Sequence, residues 1–147
     1  MPLSAYKDLS AFKVYFLDVG ILRKKAGLDA RSVLNANDLF TEFKGSLAEN
    51  YVLQSLLVQF ENTPAYWTSD GKAELDFLLQ AEGTLIPIEV KSGQTIRGKS
   101  MSIYESTYGP KVKVRYSMRN LLRQENLLNI PLFLADRTKF FLDKQLQ

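Results

Sequence analysis

The chain has no cysteine and no histidine among its 147 residues. Without thiols it can form neither a disulfide nor a cysteine nucleophile, and without either residue type the usual zinc sites are excluded. A catalytic triad or a nuclease mechanism that needs a histidine base is excluded as well. The chemistry that remains uses carboxylates, lysine and metal ions bound by oxygen.

Long apolar runs are also missing. No stretch approaches the ~18 residues that a membrane helix needs, and no signal-peptide pattern opens the chain. With 46% hydrophobic and 24% charged residues, the composition is typical of a soluble globular protein. We therefore expect a single cytoplasmic domain over residues 1–147, with no membrane association.

Charge is distributed unevenly along the chain. The net charge is +3, but residues 91–123 carry eight basic residues against one acid, a local charge of +7, which leaves the rest at -4. A basic surface beside an acidic site would suit phosphate binding, and a solvated basic face would give the same counts. The eight residues are Lys91, Arg97, Lys99, Lys111, Lys113, Arg115, Arg119 and Arg123.

Hydrophobic periodicity predicts alternating strands and helices. An N-terminal extension (10–36) is expected to contain one strand and a short helix that stops at Gly27. The core (38–140) is expected to follow the order helix, three strands, helix, strand, which indicates an α/β or α+β fold with a mixed sheet. The predicted strands are 12–18, 65–69, 73–80, 85–91, 111–117 and 130–135, and the other predicted helices are 38–62, 99–108, 119–128 and 136–147.

Residues 93–100, GQTIRGKS, match the phosphate-loop pattern G-x-x-x-x-G-K-[ST]. In that pattern Lys99 would reach the phosphates of a nucleotide and Ser100 would hold magnesium. A phosphate-loop fold adds a crossover of about 30 residues for each further parallel strand, and only 47 residues follow Ser100. The preceding strand also contains charged residues where a buried parallel strand should be apolar. Nucleotide binding is therefore the third hypothesis.

The charges of the hairpin 73–91 are more informative. Symmetric pairing about its turn places Asp76 opposite Glu89 and Glu74 opposite Lys91. Opposed like charges are destabilising, so the two carboxylates should share a proton or hold a cation such as Mg²⁺ or Mn²⁺. A cross-strand ion-pair cluster on an exposed face explains the same charges. These four residues would share one face, and the other face would carry Leu75, Phe77, Leu79, Ile86, Ile88 and Val90.

Glu49 lies in the long predicted helix, within about 60° of an apolar stripe that includes Val52 and Leu56. If this stripe faces the core, the carboxylate needs a partner such as a metal ion or a lysine, because burying it unpaired is costly. If a second stripe, Phe40, Leu47, Tyr51 and Val58, faces the core instead, Glu49 is solvated.

The chain contains Glu49, then Asp76, then IEVK with Glu89 and Lys91, in this order of helices and strands. This arrangement resembles the PD-(D/E)XK nuclease superfamily. A closer resemblance is carried by the segments FKVYFLDVGIL, FKGSLAENYV, YWTSDGKAELDFLL, IPIEVKSG and NIPLFLA. They resemble domain of unknown function 4143, which follows the ATPase core of many bacterial and archaeal AAA+ proteins. The resemblance covers residues from about 10 to 140. Single motifs are weak, since E-x-K recurs at 42–44, and Leu75 replaces the usual proline. The ordered combination is specific.

The resemblance implies a magnesium ion, or manganese, held by Asp76, Glu89 and the carbonyl of Val90, with Glu49 completing the metal or water network. Lys91 would orient the attacking water and offset phosphate charge. The implied activity is metal-assisted hydrolysis of phosphodiester bonds in DNA, with RNA not excluded. The chain would then be part of a larger ATPase-containing protein.

The basic residues after the catalytic strand would contact the nucleic-acid backbone under this hypothesis. These are Arg97, Lys99, Lys111, Lys113 and Arg115, and such contacts position nucleic acid without selecting its sequence. Solvated lysines on an edge strand are the alternative. The rival to the nuclease hypothesis is a non-catalytic module that binds nucleic acid or protein for the attached ATPase.

Overall fold

The computed structural model describes residues 3–6, 8–29, 38–69, 71, 73–93 and 98–146. In this part of the chain a six-stranded mixed sheet is flanked by helices, which confirms the predicted α/β class. The helices are α1 (Val19–Lys25), α2 (Asp38–Leu57), α3 (Lys99–Tyr108) and α4 (Thr138–Leu146), with 3₁₀ turns at Leu3–Tyr6 and Leu132–Arg137. The strands are β1 (Ala65–Ser69), β2 (Ala73–Ala81), β3 (Thr84–Val90), β4 (Lys113–Ser117), β5 (Leu122–Gln124) and β6 (Leu127–Pro131).

The sheet has the strand order β1-β2-β3-β4-β6-β5. The first three strands form an antiparallel meander, β4 joins β3 in parallel through the crossover helix α3, and β6 continues in parallel. Strand β5 returns antiparallel to β6 at the far edge. The predicted core order of helix, three strands, helix, strand is therefore confirmed. None of the described helices is both long and apolar enough to span a bilayer.

The β2–β3 hairpin closes through a two-residue turn. Glu82 and Gly83 have φ angles of 47° and 74°, the left-handed conformations that a type I′ turn requires. This turn fixes the register, which pairs Phe77 with Ile88 and Leu78 with Pro87. The predicted symmetric pairing is confirmed as far as Phe77 with Ile88, whereas the predicted oppositions of Asp76 with Glu89 and of Glu74 with Lys91 are not among the ladder pairs.

Beyond Phe77 the strand β2 is irregular. Ala65 of β1 pairs with Leu78, whereas Trp67 pairs with Leu75. An advance of two residues along β1 therefore corresponds to three residues along β2, so β2 contains one extra residue next to Asp76. This is a β-bulge, a feature that bends a strand and redirects side chains near functional sites.

The bulge reverses the side-chain alternation of β2. Phe77 packs into the main core, but Leu75 lies with Leu78 in the cluster beneath α3 that includes Met101 and Tyr104. The prediction that Leu75 shares the face of Phe77 is therefore wrong, because a single inserted residue exchanges the two faces of a strand.

The main core lies between the sheet and α2. Val52 and Leu56 are fully buried, whereas Val58 is 82% exposed, so of the two alternatives it is the apolar stripe beside Glu49 that faces the core. The helix ends at Leu57, five residues earlier than expected. Glu49 is consequently held at the flank of a buried stripe.

The C-terminal third differs most from the predicted elements. Residues 119–128, expected to be helical, form the β5–β6 hairpin, with Glu125 at φ 51° in its turn. The strand expected at 130–135 ends at Pro131 and continues as a 3₁₀ turn. Pairing of β6 with the central strand β4 overrides the local helical pattern, as tertiary context commonly does.

The segment before α1 is extended but belongs to no ladder of the described sheet, so the strand predicted at 12–18 is wrong. Side-chain amides of α2 replace strand partners. The N–H of Phe16 donates to Oδ1 of Asn50 at 2.8 Å, and the N–H of Val19 donates to Oε1 of Gln54 at 3.0 Å. Residues 30–36 of the expected N-terminal extension lie outside the described residues.

Candidate functional site

The bulge in β2 brings Asp76 against the end of β3. Its Oδ2 accepts a hydrogen bond from the main-chain N–H of Val90 at 2.7 Å. In an unbroken ladder, a main-chain carbonyl of the neighbouring strand would accept the hydrogen bond from this N–H. Here the carboxylate of Asp76 accepts it instead. This hydrogen bond holds the side chain of Asp76 at the C-terminal end of β3, where the metal site was expected.

Glu49 and Asp76 lie close enough to influence each other. Burial raises the pKa of Glu49, and the neighbouring Asp76 carboxylate raises it further, while Lys13 and Lys91 oppose these effects. Burial also raises the pKa of Asp76, against the lowering effect of the Val90 N–H and the same two lysines. The two acids thus form a partly desolvated pair that a cation would stabilise.

Glu89 has different neighbours. It is 3% exposed and lies on the side of β3 that faces α3. Its Oε1 is 3.1 Å from Nζ of Lys91, and its Oε2 is 3.4 Å from Nε of Arg115 on β4. Two cations therefore neutralise this carboxylate, which keeps a buried charge from standing unpaired.

Gly98 packs against the same carboxylate. It caps the N-terminus of α3, and a Cβ built on it would overlap both oxygens of Glu89. The second glycine of the GQTIRGKS motif thus permits the close approach of the helix to Glu89. The N-terminal end of the α3 dipole also favours a negative charge there.

The site residues form two pairs with Lys91 between them. Lys91 contacts Glu89 directly and lowers the pKa of both Glu49 and Asp76. In the described part of the chain, no three acidic side chains are grouped so as to hold one ion. Carboxylate oxygens are the ligands that magnesium prefers. Glu49 and Asp76 carry ligands of this chemical type, whereas Glu89 is engaged by its two cations.

Two residues of the N-terminal segment belong to this site and were not found by sequence reasoning. Lys13 forms an ion pair with Glu74 and lies 5.2 Å from the ring centroid of Tyr66. Lys13 and Tyr15 alternate with apolar residues in FKVYFLD. This alternation is the feature of the sequence that could have identified them as site residues.

Tyr15 is the second of these residues. Its ring lies 5.8 Å from that of Phe77, and its buried hydroxyl has no hydrogen-bond partner among the described residues. Burial raises the pKa of Tyr15, and the Glu49 and Asp76 carboxylates raise it further. Tyr15 is therefore a protonated, unpaired donor next to the two acids.

The expected nucleic-acid contacts divide into two groups. Lys113 is 8% exposed and bonded to Glu105 of α3 at 2.5 Å, and Arg115 is occupied by Glu89. Because β4 lies inside the sheet, the edge-strand alternative is wrong. Lys99 and Lys111 are exposed, while Arg97 lies outside the described residues.

The sequence of this site matches a known family profile. The family is described as Domain of unknown function (DUF4143), and its profile matches residues 44–133. The chain belongs to the DUF4143 family. The matched segment of this DUF4143 domain contains Glu49, Asp76, Glu89 and Lys91, whereas Lys13 and Tyr15 precede it.

Two mycobacterial relatives of the DUF4143 domain are known as uncharacterized proteins. One is from Mycobacterium tuberculosis and the other from Mycobacterium bovis, and each is 31% identical over 84 residues. The alignment covers 56% of this chain and 18% of each relative. The matched segment thus spans less than a fifth of the length of these curated relatives. No solved structure matches it.

Proposed function

We propose that this DUF4143 domain is a magnesium-dependent nuclease-like domain that hydrolyses phosphodiester bonds of DNA, with RNA as a further possible substrate. The observation that carries the proposal is the bulge at Asp76. It interrupts the ladder so that an aspartate from β2, the end of β3 and Glu49 of α2 converge beside Lys91. A bulge that directs a carboxylate toward a lysine and a second carboxylate suits hydrolytic chemistry better than it suits packing.

Asp76 and Glu49 would hold the metal ion, together with the carbonyl of Val90. Magnesium or manganese would polarise the phosphoryl oxygen and lower the pKa of a bound water. Glu89 would join the metal ligands on exchanging its contact with Lys91 for the ion. The raised pKa values of Glu49 and Asp76 fit this role, since a bound cation would stabilise the charged carboxylates that burial disfavours.

Lys91 would then act on the substrate. Once released from Glu89, its ammonium would orient the attacking water and offset negative charge on the phosphate. The oxygen of the attacking water would bond to phosphorus as the bond from phosphorus to the leaving sugar oxygen breaks, and the proton that the water loses would pass through solvent to that leaving oxygen. Tyr15, with its unpaired hydroxyl, is placed to donate a hydrogen bond within the site.

The test is a titration of the purified domain with Mg²⁺ and Mn²⁺ against linear, branched and single-stranded DNA, and against RNA. We expect metal-dependent cleavage by the wild type and none by Lys91→Ala. Lys139→Ala is the matched control, since it removes an exposed lysine of α4 that none of the hypotheses places against nucleic acid. Cleavage that persists in Lys91→Ala would come from a contaminant and would remove the support for catalysis.

A non-catalytic binding module is the second candidate. It is favoured by the environment of Glu89, whose carboxylate is buried and neutralised by Lys91 and Arg115. A module of this kind would bind nucleic acid in a salt-dependent way without cleaving it at any metal concentration. That result in the same titration would select this function.

Nucleotide binding through residues 93–100 receives less support. The N-terminus of α3, which would have to receive a phosphate, already faces the Glu89 carboxylate. A measurable affinity for ATP that Lys99→Ala abolishes would reverse this ranking.

We also propose that the domain works within a larger AAA+ ATPase protein. The support is the length of the mycobacterial relatives, of which the matched segment is only 18%. ATP hydrolysis by a purified full-length relative, stimulated by the nucleic acid that the domain binds, is the expected result. A full-length relative without ATPase activity would contradict this assignment.

A further inference from the structure

A cavity of about 570 Å³ adjoins the carboxylate site. It lies between the N-terminal segment, β1 and β2, and Asp76 forms part of its wall. Its volume is within the range of about 300 to 1,000 Å³ that is usual for small-molecule sites. The cavity is therefore large enough for a group attached to a substrate bound at Asp76.

The cavity wall includes five aromatic residues among aliphatic and polar ones. Tyr66 and Trp67 of β1 line it, and Phe12 and Tyr15 of the N-terminal segment line it from the other side. Aromatic rings of this kind are the platforms on which proteins stack the bases of single-stranded nucleic acid. The lining thus suits a flat, apolar ligand.

The charges in the cavity exclude a phosphate as its main occupant. One cation, Lys13, lines it together with two acids, Asp8 and Asp76. Lys13 is also occupied by Glu74. A neutral group would meet no net repulsion here, whereas a phosphate would meet more negative than positive charge.

We propose that this cavity binds one unpaired nucleobase of the nucleic acid whose scissile phosphate lies at Asp76. The proposal rests on the proposed function for the position of the phosphate. Because Asp76 belongs to both the cavity and the carboxylate site, base and phosphate can come from adjacent positions of one strand. The substrates are then single strands or frayed ends.

A base inside a duplex must leave its stack and its partner to enter such a cavity. It is stacked and paired, and taking it out of the helix costs a few kcal/mol. A duplex of the same length should therefore bind more weakly than a single strand. This preference distinguishes a base-binding cavity from a surface that recognises only the phosphate backbone.

Trp67 makes the proposal directly testable, because it is the only tryptophan of the chain and it lines the cavity. Short oligothymidylate is titrated into the wild-type domain in EDTA, so that no hydrolysis occurs, and Trp67 fluorescence is recorded. An abasic oligonucleotide of equal length and a duplex are titrated in parallel. We expect saturable quenching by oligothymidylate and binding at least about fivefold weaker for the abasic strand, given ~1–3 kcal/mol per stacked base.

A pair of variants keeps the test specific. Tyr66→Leu removes a ring from the wall and should weaken oligothymidylate binding toward the abasic value. Tyr108→Leu removes a ring 6.0 Å from Trp67 that is not part of the cavity lining, and should leave binding unchanged. Unfolding of both variants is checked by circular dichroism.

The outcomes separate this proposal from the nuclease function. Equal binding of abasic and thymidylate strands, or no quenching by either, would overturn the base site whatever the domain cleaves. Base-dependent quenching in EDTA without cleavage in Mg²⁺ or Mn²⁺ would support the base site and overturn the nuclease function.

Discussion

The carboxylate of Asp76 accepts the main-chain N–H of Val90 at 2.7 Å. This bond joins two adjacent strands through a side chain at the point where the β2 bulge interrupts the ladder. It holds Asp76 beside Glu49 and within electrostatic range of Lys91. The candidate site therefore depends on a local irregularity of the sheet.

Replacing Asp76 by Asn is expected to stabilise the fold at neutral pH. Asn keeps an oxygen acceptor for Val90 and removes a charge whose pKa is raised by burial. A raised pKa means that the folded state binds the proton more tightly, so the wild type loses stability as pH rises through that pKa. Thermal unfolding of Asp76→Asn should occur at a higher Tm than the wild type at pH 7.

The same comparison has a pH control. Below the 3.8 of an unfolded aspartate the wild-type side chain is protonated in both states, so the two Tm values should converge. A lower Tm for Asp76→Asn at pH 7 would show that the bond to Val90 needs the charge. Nuclease activity should fall about 100-fold or more in this variant.

Mn²⁺ and Mg²⁺ are expected to raise the Tm of the wild type. A ligand that binds only the folded state stabilises it by about 2.7 kcal/mol at a concentration one hundred times its Kd. Asp76→Asn should lose this effect. Asp136→Asn, which removes an exposed acid near the C-terminus, should keep it. An equal shift in both variants would place the ion elsewhere.

Lys13→Met is expected to move metal binding to higher pH. Lys13 lowers the pKa of Glu49 and of Asp76, which also feel Glu74, Glu89 and Lys91. Without Lys13 both acids deprotonate at higher pH, and only their charged forms bind a metal ion well. The midpoint of Mn²⁺ affinity against pH should rise, and Lys13→Arg should restore it. An unchanged midpoint would show that the N-terminal segment does not influence the site.

Gly98→Ala is expected to destabilise the domain. The added Cβ would overlap the buried Glu89 carboxylate, and overpacking of this kind costs about 1–3 kcal/mol. Gly93→Ala is the matched control, because a Cβ there meets nothing within 4 Å. Denaturant unfolding measures both. In a double-mutant cycle, Glu89→Ala should remove most of the penalty of Gly98→Ala, and simple additivity would contradict the proposed contact.

The exposed and buried lysines should differ in their effect on nucleic-acid binding. Removing one phosphate contact reduces the slope of log K against log salt concentration by about 0.7 to 0.9. We expect this reduction for Lys99→Met and Lys111→Met, measured with a single strand in EDTA. Lys113→Met should leave the slope unchanged and lower stability, since Lys113 is held by Glu105. A slope reduced by Lys113→Met would mean that this ion pair opens on binding.

Much of the central fold follows from local sequence. The alternation in β1 and β2 and the capping glycine at Gly109 place these elements within a residue or two. The two-residue turn at Glu82 and Gly83 fixes the hairpin register without reference to the rest of the chain. The apolar stripe of α2 likewise determines which side of that helix is buried.

Local sequence did not predict the C-terminal hairpin or the burial of Lys113. Leu127 and Leu128 fit a helix as well as a strand, and the choice depends on pairing with β4, more than ten residues away. Lys113 has the pattern of a solvated strand lysine. Its burial follows from the central position of β4 and from the acid that α3 places over it.

The sequence by itself determined the class of the fold, the antiparallel register and the residue types available for chemistry. Only the tertiary structure decided which charges meet. The bulge at Asp76 depends on how β1 pairs with β2, and the approach of Lys13 and Tyr15 depends on docking against α2. These arrangements arise from contacts between residues distant in the chain, which periodicity and spacing do not encode.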